Sequence, residues 1–418
     1  MIFNYTKAAD RKRRIILRIG IVLSAYYEGS LGVVIRVVDL IKSLTNLNVE
    51  VHVFSPFNIP ELENMPKVTV HILENVISKL KLSRTIYKML QYCLGSPTLS
   101  RKIMLRKWVI SSIVKSFSGL VYSKMKEIKL DLIQGEQEIA SLACLRLKDK
   151  LNVPVVSSLH NIWPEELVAS GIIEKSSHQF HSLMNMEREI VENSDMVIVL
   201  SEAMKDYIRR EIGSKGKIVV VPLGSRPQIS EVEYVSEPNR VVHAGLMSKL
   251  DNVGLFVESM PYIKRQHPKV SFYLTRKGEA YPSVKKYLKK IDVKPNFFWY
   301  SNKNHFLTFL KSCHVGVVTS KNHITRKFGF TMKFFDYLSV GIPVVANDIG
   351  GWTKIIEQEK IGVLTESTPE AFGKGVVQLL QNPEMRYELG KRCLELSKTK
   401  FNIDRIAVSL KEQYHRLI

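Results

Sequence analysis

Short apolar segments rich in β-branched residues alternate with longer segments of helical periodicity along nearly the whole chain. The apolar segments predict buried strands. They lie at residues 15–23, 49–54, 130–133, 153–157, 196–200, 218–221, 240–243, 270–274, 297–300, 315–318 and 343–346. Strands that are apolar on both faces and separated by helices are typical of parallel sheets covered on both sides. The pattern therefore predicts an α/β protein with two doubly wound, Rossmann-like domains.

A polar segment marks the boundary between the two domains. After Val221 the chain reads PLGSRPQISEVEYVSEPNR, which is rich in proline, serine and charge, and a new strand is predicted from Arg240. We therefore predict an N-terminal domain over residues 1–222, a linker over 223–239 and a C-terminal domain over 240–400. The remaining residues 401–418 are expected to form a helix that packs back on the N-terminal domain.

Composition excludes several classes of protein. The 418 residues are 45% hydrophobic, which suffices for two cores and excludes general disorder. The four cysteines, Cys93, Cys144, Cys313 and Cys393, are too widely spaced for a zinc motif or a disulfide framework. They are expected to be reduced thiols in the cores. No cluster of metal ligands is evident, so no bound metal or other bound cofactor is expected.

The N-terminal residues resemble a targeting signal only superficially. A basic cluster at residues 11–14 precedes an apolar stretch, but Arg18 interrupts that stretch. It is shorter than the roughly 20 apolar residues that a spanning helix needs. No small-x-small cleavage site follows before Glu28. A buried first strand is therefore predicted, and the protein is expected to be cytoplasmic, bound peripherally to the cytosolic face of a membrane.

Positive charge is concentrated in one segment of the N-terminal domain. The chain has 61 Lys and Arg against 40 Asp and Glu, a net charge of +21, which favours anionic partners. Residues 79–126 contain 11 basic residues and no acidic one. Within them, residues 99–117 predict a helix with Ile110, Ile113, Val114 and Phe117 toward the core.

The rest of this helix mixes bases with a tryptophan. Two interpretations stay open: a solvated basic face, or an interfacial helix on anionic lipid. The candidate membrane or acceptor surface consists of Arg101, Lys102, Arg106, Lys107, Trp108 and Lys115. Exposed apolar side chains among bases and without acids favour the interfacial helix.

Candidate chemistry follows the predicted strands, because doubly wound domains bind ligands at the carboxyl ends of their strands. The first candidate is the glycine-containing loop at residues 28–32, which precedes a predicted helix and is either a phosphate site or a structural turn. The second is His160, just after the strand at 153–157. A lone histidine is more often a core residue, but its position at a strand end favours function.

The third candidate is the segment from Lys327 to Gly351. A helix from about Thr331 places Lys333 and Asp336 three residues apart, near its N-terminus. A helix N-terminus with a lysine suits a diphosphate, and a carboxylate one turn later suits a ribose diol. The alternative is a surface ion pair, which would contribute only about a few tenths of a kcal/mol to stability.

The sequence MKFFDYLSVGIPVVANDIGGWTKII resembles the nucleotide-sugar signature of retaining GT-B glycosyltransferases of family 4. Other segments resemble the family in the same order along the chain: DLIQGEQ, SSLHN, NSDMVIVLSEAM, VVVPLGS and HAGLMSKLDNV. The resemblance implies the GT-B architecture, in which two Rossmann-like domains face a central cleft.

The resemblance also implies residue roles. His160, Lys249 and Lys333 would be catalytic: His160 corresponds to the histidine near the hydroxyls of the transferred sugar, and Lys249 to the base that contacts the diphosphate. Lys333 resembles the lysine of the K-x-x-E-Y variant, and Asp336 stands at the ribose-binding acid. The full set implied for the nucleotide sugar is Gly29, Gly32, Gly245, Lys249, Thr331, Met332, Lys333 and Asp336.

Two positions depart from the family pattern. The first acid of the E-x7-E motif, which contacts the transferred sugar, falls at Phe328. The arginine that usually follows the glycine of the second domain's first loop is Leu246. The missing acid leaves the identity of the sugar open.

The resemblance implies transfer of a hexosyl-type sugar from a UDP- or GDP-sugar to a hydroxyl, with retention and without a metal. The basic segment suggests a lipid-linked glycan or glycolipid acceptor at anionic lipid. Alternatives are a sugar-nucleotide epimerase or phosphorylase of the same fold, and a catalytically degenerate partner subunit, which Phe328 and Leu246 would fit. Nucleic-acid binding rests on charge alone and is not expected.

Overall fold

The computed structural model describes residues 16–24, 31–73, 106–213, 216–237, 239–248, 250–300 and 302–418. These residues form two separate parallel sheets with helices between successive strands. In sequence, one sheet precedes and the other follows residues 223–239, which we propose as the linker between two domains.

The N-terminal sheet has the order β3-β2-β1-β4-β5-β6-β7, and every strand pair is parallel. Its strands are β1 (Leu17–Leu23), β2 (Val49–Ser55), β3 (Val68–Ile72), β4 (Leu132–Glu136), β5 (Val155–Ser158), β6 (Met196–Val199) and β7 (Ile218–Val220). Its helices are α1 (Leu31–Asn46), α2 (Lys107–Met125), α3 (Gln137–Leu151), α4 (Trp163–Ala169), α5 (His178–Asn193) and α6 (Glu202–Tyr207), which continues into a π-helical turn, Ile208–Ile212.

The C-terminal sheet has the order β10-β9-β8-β11-β12-β13 and is also parallel. Its strands are β8 (Arg240–His243), β9 (Ser271–Thr275), β10 (Asn296–Phe298), β11 (Val315–Val318), β12 (Val344–Asn347) and β13 (Gly362–Thr365). The helices are α7 (Val253–Gln266), α8 (Tyr281–Leu288), α9 (Lys303–Leu310), α10 (Ile324–Phe328), α11 (Met332–Ser339), α12 (Thr353–Glu359), α13 (Pro369–Gln381), α14 (Pro383–Lys398) and α15 (Ile403–His415).

The predicted fold class is confirmed, and each predicted strand segment overlaps an observed strand. Two strands were missed, β3 and β13, and both lie at the edge of their sheet. Their residues are only partly buried, so they lack the continuous apolar pattern of a central strand. The strand predicted at 130–133 in fact runs to Glu136, which places this glutamate at the carboxyl end of β4.

The last helix, α15, lies against the N-terminal domain although it follows the C-terminal sheet in sequence. Its apolar side chains Ile406, Ala407, Leu410 and Tyr414 are buried in the same core cluster as β1, β2 and α1. The chain from α14 to α15 also pairs with the linker, because the Ser225 N–H donates to the Phe401 carbonyl at 2.9 Å. These contacts tie the two domains together.

Helix α2 carries the predicted core stripe. Ile110, Ile113 and Val114 are buried, and Phe117 packs partly against two core clusters. The helix continues past residue 117 to Met125, and residues 74–105, with Arg101 and Lys102, lie outside the described residues. Among the residues that the structure describes, no helix is long and apolar enough to cross a membrane.

Three of the four cysteines belong to the described part of the chain. Cys144, Cys313 and Cys393 are buried and unpaired, as expected for reduced core thiols. Cys93 lies outside the described residues.

Candidate active site

A buried polar network lies at the carboxyl ends of β4 and β5 in the N-terminal domain. His160 Nε2 is 2.6 Å from Glu136 Oε2 and 3.3 Å from Arg36 Nη1. Arg36 comes from α1, and its Nη2 donates to the Val221 carbonyl at 3.1 Å. Residues distant in sequence therefore surround the histidine that the sequence singled out, and Glu136 is its hydrogen-bond partner.

Protonation in this network follows from burial and charge. Burial tends to raise the pKa of Glu136, but the hydrogen bond and charge of His160, together with Arg36, hold it below its ordinary value. Burial lowers the pKa of His160, although its bond to Glu136 opposes the shift. His160 is therefore neutral at neutral pH. We assign its proton to Nε2, because a carboxylate only accepts, which leaves Nδ1 as an acceptor.

Helix α15 extends this network through Tyr414. Tyr414 Oη donates to Gln134 Oε1 at 2.6 Å, and Gln134 Nε2 donates to Glu136 Oε1 at 2.5 Å. Tyr414 and Gln134 are both buried. Both oxygens of Glu136 are thus engaged within the protein, so this carboxylate orients His160.

A second polar group lies at the carboxyl end of β8 in the C-terminal domain. Lys333 Nζ, on the first turn of α11, donates to Asp251 Oδ2 at 3.1 Å and to His243 Nε2 at 3.3 Å. Burial lowers the pKa of Lys333, and Asp251 opposes this shift. Burial and the charge of Lys333 lower the pKa of His243 to about 3, so His243 is a neutral acceptor.

Gly245 allows the loop after β8 to lie close to Lys333. Its φ is 79°, in the region that disfavours side chains, and a Cβ there would lie 3.3 Å from Lys333 Cε. The glycine therefore lets the loop after β8 approach the N-terminus of α11. A loop backbone, a lysine and a helix N-terminus that converge in this way suit a phosphate group.

Asp336 lies one turn further along α11 and faces a different set of groups. It is 7% exposed, and its Oδ1 is buried without a hydrogen-bond partner in the described part of the chain. Burial raises the pKa of Asp336 to about 6; Lys303 opposes the shift and Asp39 adds to it. Lys303 Nζ donates to Asp39 Oδ2 at 2.7 Å, which joins α9 to α1 across the domains. A carboxylate oxygen without a hydrogen-bond partner is suited to accept a hydrogen bond from a hydroxyl group of a ligand.

The two domains approach each other where α1 and α11 begin, and we call the facing surfaces the N-terminal wall and the C-terminal wall. A Cβ at Gly32 would lie 3.6 Å from Met332 Cγ, so the two helix N-termini face each other across the domains. Thr331 precedes α11 in extended conformation, and its side chain makes no capping hydrogen bond. The N–H groups of the first turn of α11 are therefore not capped by that side chain.

Comparison with known proteins identifies the family. The model for Glycosyltransferase Family 4 matches residues 31–228, and the model for Glycosyl transferases group 1 matches residues 238–382. Together they span both domains. The chain belongs to glycosyltransferase family 4. An uncharacterized glycosyltransferase of Methanocaldococcus jannaschii is 21% identical over 400 residues, which cover 94% of this chain and 97% of that one.

Solved structures share the GT-B fold of this glycosyltransferase. Sucrose-phosphate synthase from Thermosynechococcus elongatus superposes with a TM-score of 0.73 at 16% identity, covering 96% of this chain and 99% of the synthase. Anabaena Alr3699/HepE, solved in complex with UDP and glucose, gives a TM-score of 0.66 at 13% identity and covers 96% and 100% of the two chains.

The structure places most of the predicted site residues in two groups. His160 belongs to the N-terminal network, whereas Gly245, Met332, Lys333 and Asp336 belong to the C-terminal wall. Gly29 and Lys249 lie outside the described residues. Lys333 and Asp336 do not form the surface ion pair considered as an alternative, since both are buried and they face different partners.

Sequence reasoning missed the partners that hold the predicted residues. Arg36, Glu136 and Asp251 are all buried charges. Glu136 lies in the segment DLIQGEQ at a strand end and Asp251 in the segment HAGLMSKLDNV, so both carried a signal in the resemblance. Arg36 lies within a helical segment and becomes recognisable only when the chain is folded.

Proposed function

We propose that this glycosyltransferase moves a sugar from a UDP- or GDP-sugar to a hydroxyl acceptor with retention at the anomeric carbon. The observation that carries the proposal is the first turn of α11. There Lys333 lies against the Gly245 loop, and the unpartnered oxygen of Asp336 follows one turn later. The spacing suits a diphosphate beside the lysine and a ribose diol beside the carboxylate. Alr3699/HepE, solved with UDP and glucose, supports a UDP-sugar.

Catalysis would depend on the charge that develops on the leaving group. When the bond between the anomeric carbon and the phosphate oxygen breaks, the electron pair stays on the diphosphate. Lys333 and the N–H groups at the start of α11 would stabilise that charge in a buried site, where preorganised donors act most strongly. Lys249 and Gly29 keep their implied roles as predictions.

His160 would bind the transferred sugar from the opposite wall. Glu136 fixes its ring by accepting from Nε2, and Nδ1 of the neutral imidazole would accept from a sugar hydroxyl. Glu136 itself is held by His160 and Gln134, so it is not the acceptor's base. The departing phosphate would instead take the proton of the attacking hydroxyl.

The acceptor would be a lipid-linked glycan or glycolipid at the cytosolic face of an anionic membrane. Trp108 at the start of α2 is 64% exposed, and the neighbouring Arg106 and Lys107, with Lys115 two turns on, are exposed as well. An exposed tryptophan among bases is typical of an interfacial helix. We call Arg106, Lys107, Trp108 and Lys115 the α2 surface.

The test of transfer is release of nucleoside diphosphate from UDP-, GDP- and ADP-sugars, measured with and without a lipid extract that contains polyisoprenyl phosphates. We expect one donor to release its nucleoside diphosphate much faster with lipid, with the radiolabelled sugar moving into the lipid fraction. Conversion of the donor into another nucleotide sugar without lipid and without such release would support the epimerase instead and refute the proposal.

Charge reversal of the α2 surface should detach the protein from anionic vesicles. We expect Arg106→Glu, Lys107→Glu and Lys115→Glu together to weaken binding to phosphatidylglycerol vesicles by about 100-fold or more, since each base near such a surface contributes about 1 kcal/mol. Cosedimentation with vesicles over a lipid titration measures the effect.

The matched control reverses three exposed lysines of the C-terminal domain, Lys285, Lys286 and Lys289. This control should bind vesicles nearly as well as the unchanged protein. Equal vesicle binding by the α2 variant and the unchanged protein would refute the membrane surface, while leaving the proposed donor site unaffected.

A further inference from the structure

Helix α10 contacts both domains although it belongs to the C-terminal one. Phe328, at its end, is 2% exposed and packs in a core cluster of the N-terminal domain, with its ring centroid 5.2 Å from that of Tyr207. Ser201 Oγ donates to the Phe328 carbonyl at 2.8 Å. The helix is therefore held in position by the N-terminal domain.

Arg326, on the same helix, reaches toward the loop after β8. Its Nη2 lies 3.2 Å from Asp251 Oδ1 and 3.3 Å from Ser248 Oγ. Its Nε is buried and has no hydrogen-bond partner within the residues that the structure describes. The guanidinium thus lies beside the Gly245 loop, and its side chain is 17% exposed there.

Two cations meet one directly bonded carboxylate at this point; Glu166 interacts with Arg326 through charge alone, and burial raises the pKa of Glu166. Asp251 accepts from Arg326 through one oxygen and from Lys333 through the other, so one carboxylate faces two cations. Burial tends to raise the pKa of Asp251, but Lys333 and Arg326 hold it below its ordinary value, and it stays ionised. The remaining positive charge lies at the N-terminus of α11, where an anion is favoured.

We infer that Arg326 is a second cationic ligand of the donor diphosphate, placed there by the domain contact at Phe328. The inference rests on the proposed function. The inference accounts for both positions at which this chain departs from its family, Leu246 and Phe328. Leu246 brings no charge to the glycine loop, and Arg326 supplies a positive charge from helix α10 instead. Phe328 anchors the helix that carries it.

Arg326 would act on the leaving group. As the bond from the anomeric carbon to the phosphate oxygen breaks, the electron pair remains on that oxygen, and Arg326 and Lys333 share the added charge. The acceptor oxygen forms the new bond to carbon, and its proton goes to the departing phosphate. A guanidinium suits this task because its planar donors match two phosphate oxygens.

The test compares Arg326→Gln with Lys327→Gln, an exposed base one residue further along the helix. Isothermal titration uses UDP, GDP and ADP, and the matching nucleosides. We expect Arg326→Gln to weaken binding of the cognate diphosphate by about 10- to 100-fold and to leave nucleoside binding unchanged. Lys327→Gln should bind both like the unchanged protein. Equal diphosphate affinity in Arg326→Gln and the unchanged protein would overturn the inference.

Two further variants keep the test decisive if Arg326→Gln folds poorly. Arg326→Lys retains the charge and should keep most of the affinity. Adding Leu246→Arg to Arg326→Gln should recover part of it, because that side chain starts from the same loop; the absence of recovery in both variants would count against the inference. If the unchanged protein binds none of the diphosphates, the proposed function fails as well.

The role of the domain contact is tested by a double-mutant cycle. Phe328→Ala should weaken diphosphate binding several-fold in the unchanged background and have little effect in Arg326→Gln, because its effect passes through Arg326. Equal losses in both backgrounds would show that Phe328 does not position Arg326.

Discussion

Replacing Lys333 by methionine should lower kcat/KM for transfer by about 100- to 1,000-fold, the loss typical of removing a donor aimed at developing charge. The fold should survive, because methionine nearly matches the buried lysine in length and Asp251 keeps its contact with Arg326 at 3.2 Å. Nucleoside diphosphate release measures the rate, and a thermal melt checks the fold.

Lys327→Met is the matched control for this change. Lys327 is an exposed base near the same helix, and its replacement should leave kcat/KM within about twofold. A Lys333→Met enzyme that melts like the unchanged protein and keeps its full rate would contradict the role given to Lys333.

Replacing Asp336 by asparagine should stabilise the protein and weaken binding of the sugar donor. The pKa of Asp336 is raised from 3.8 to about 6 by burial. A raised carboxyl pKa means that the folded state binds the proton more tightly than the unfolded chain, so stability falls as pH rises between these two values. Above pH 6 the ionised group therefore costs about 3 kcal/mol, which asparagine removes.

Urea unfolding at pH 5 and pH 7.5 measures this effect. The free energy of unfolding of Asp336→Asn should exceed that of the unchanged protein by about 2–3 kcal/mol at pH 7.5 and by less at pH 5. Addition of the cognate nucleotide should stabilise the unchanged protein more than the variant. Asp292→Asn, which alters an exposed carboxylate, should change neither property. A destabilised Asp336→Asn that responds to nucleotide as strongly as the unchanged protein would contradict both expectations.

Local pattern was enough to predict the two sheets, because buried parallel strands such as β1 and β11 are apolar on both faces. It failed at β3 and β13, where one sheet edge leaves residues partly exposed. The last helix was expected to pack back on the N-terminal domain, and Ile406, Leu410 and Tyr414 of α15 are buried in that core.

The site divides in the same way. Lys333 and Asp336 were proposed from the sequence because one helix N-terminus holds both, and His160 because it follows a strand. Their partners were not, because Asp251, Arg36 and Glu136 reach them across 82, 124 and 24 residues of chain. Phe328 was expected to be a lost sugar contact, whereas in the structure it packs against Tyr207 in the other domain.

The most direct test of the donor site is a thermal melt of the unchanged protein with UDP, GDP, ADP and the matching nucleosides. A ligand that binds only the folded state at 100 times its Kd stabilises it by about 2.7 kcal/mol. We predict that one diphosphate raises Tm by several degrees, its nucleoside by less, and the other two diphosphates little. If no diphosphate at millimolar concentration shifts Tm, the nucleotide-sugar site proposed at α11 is wrong.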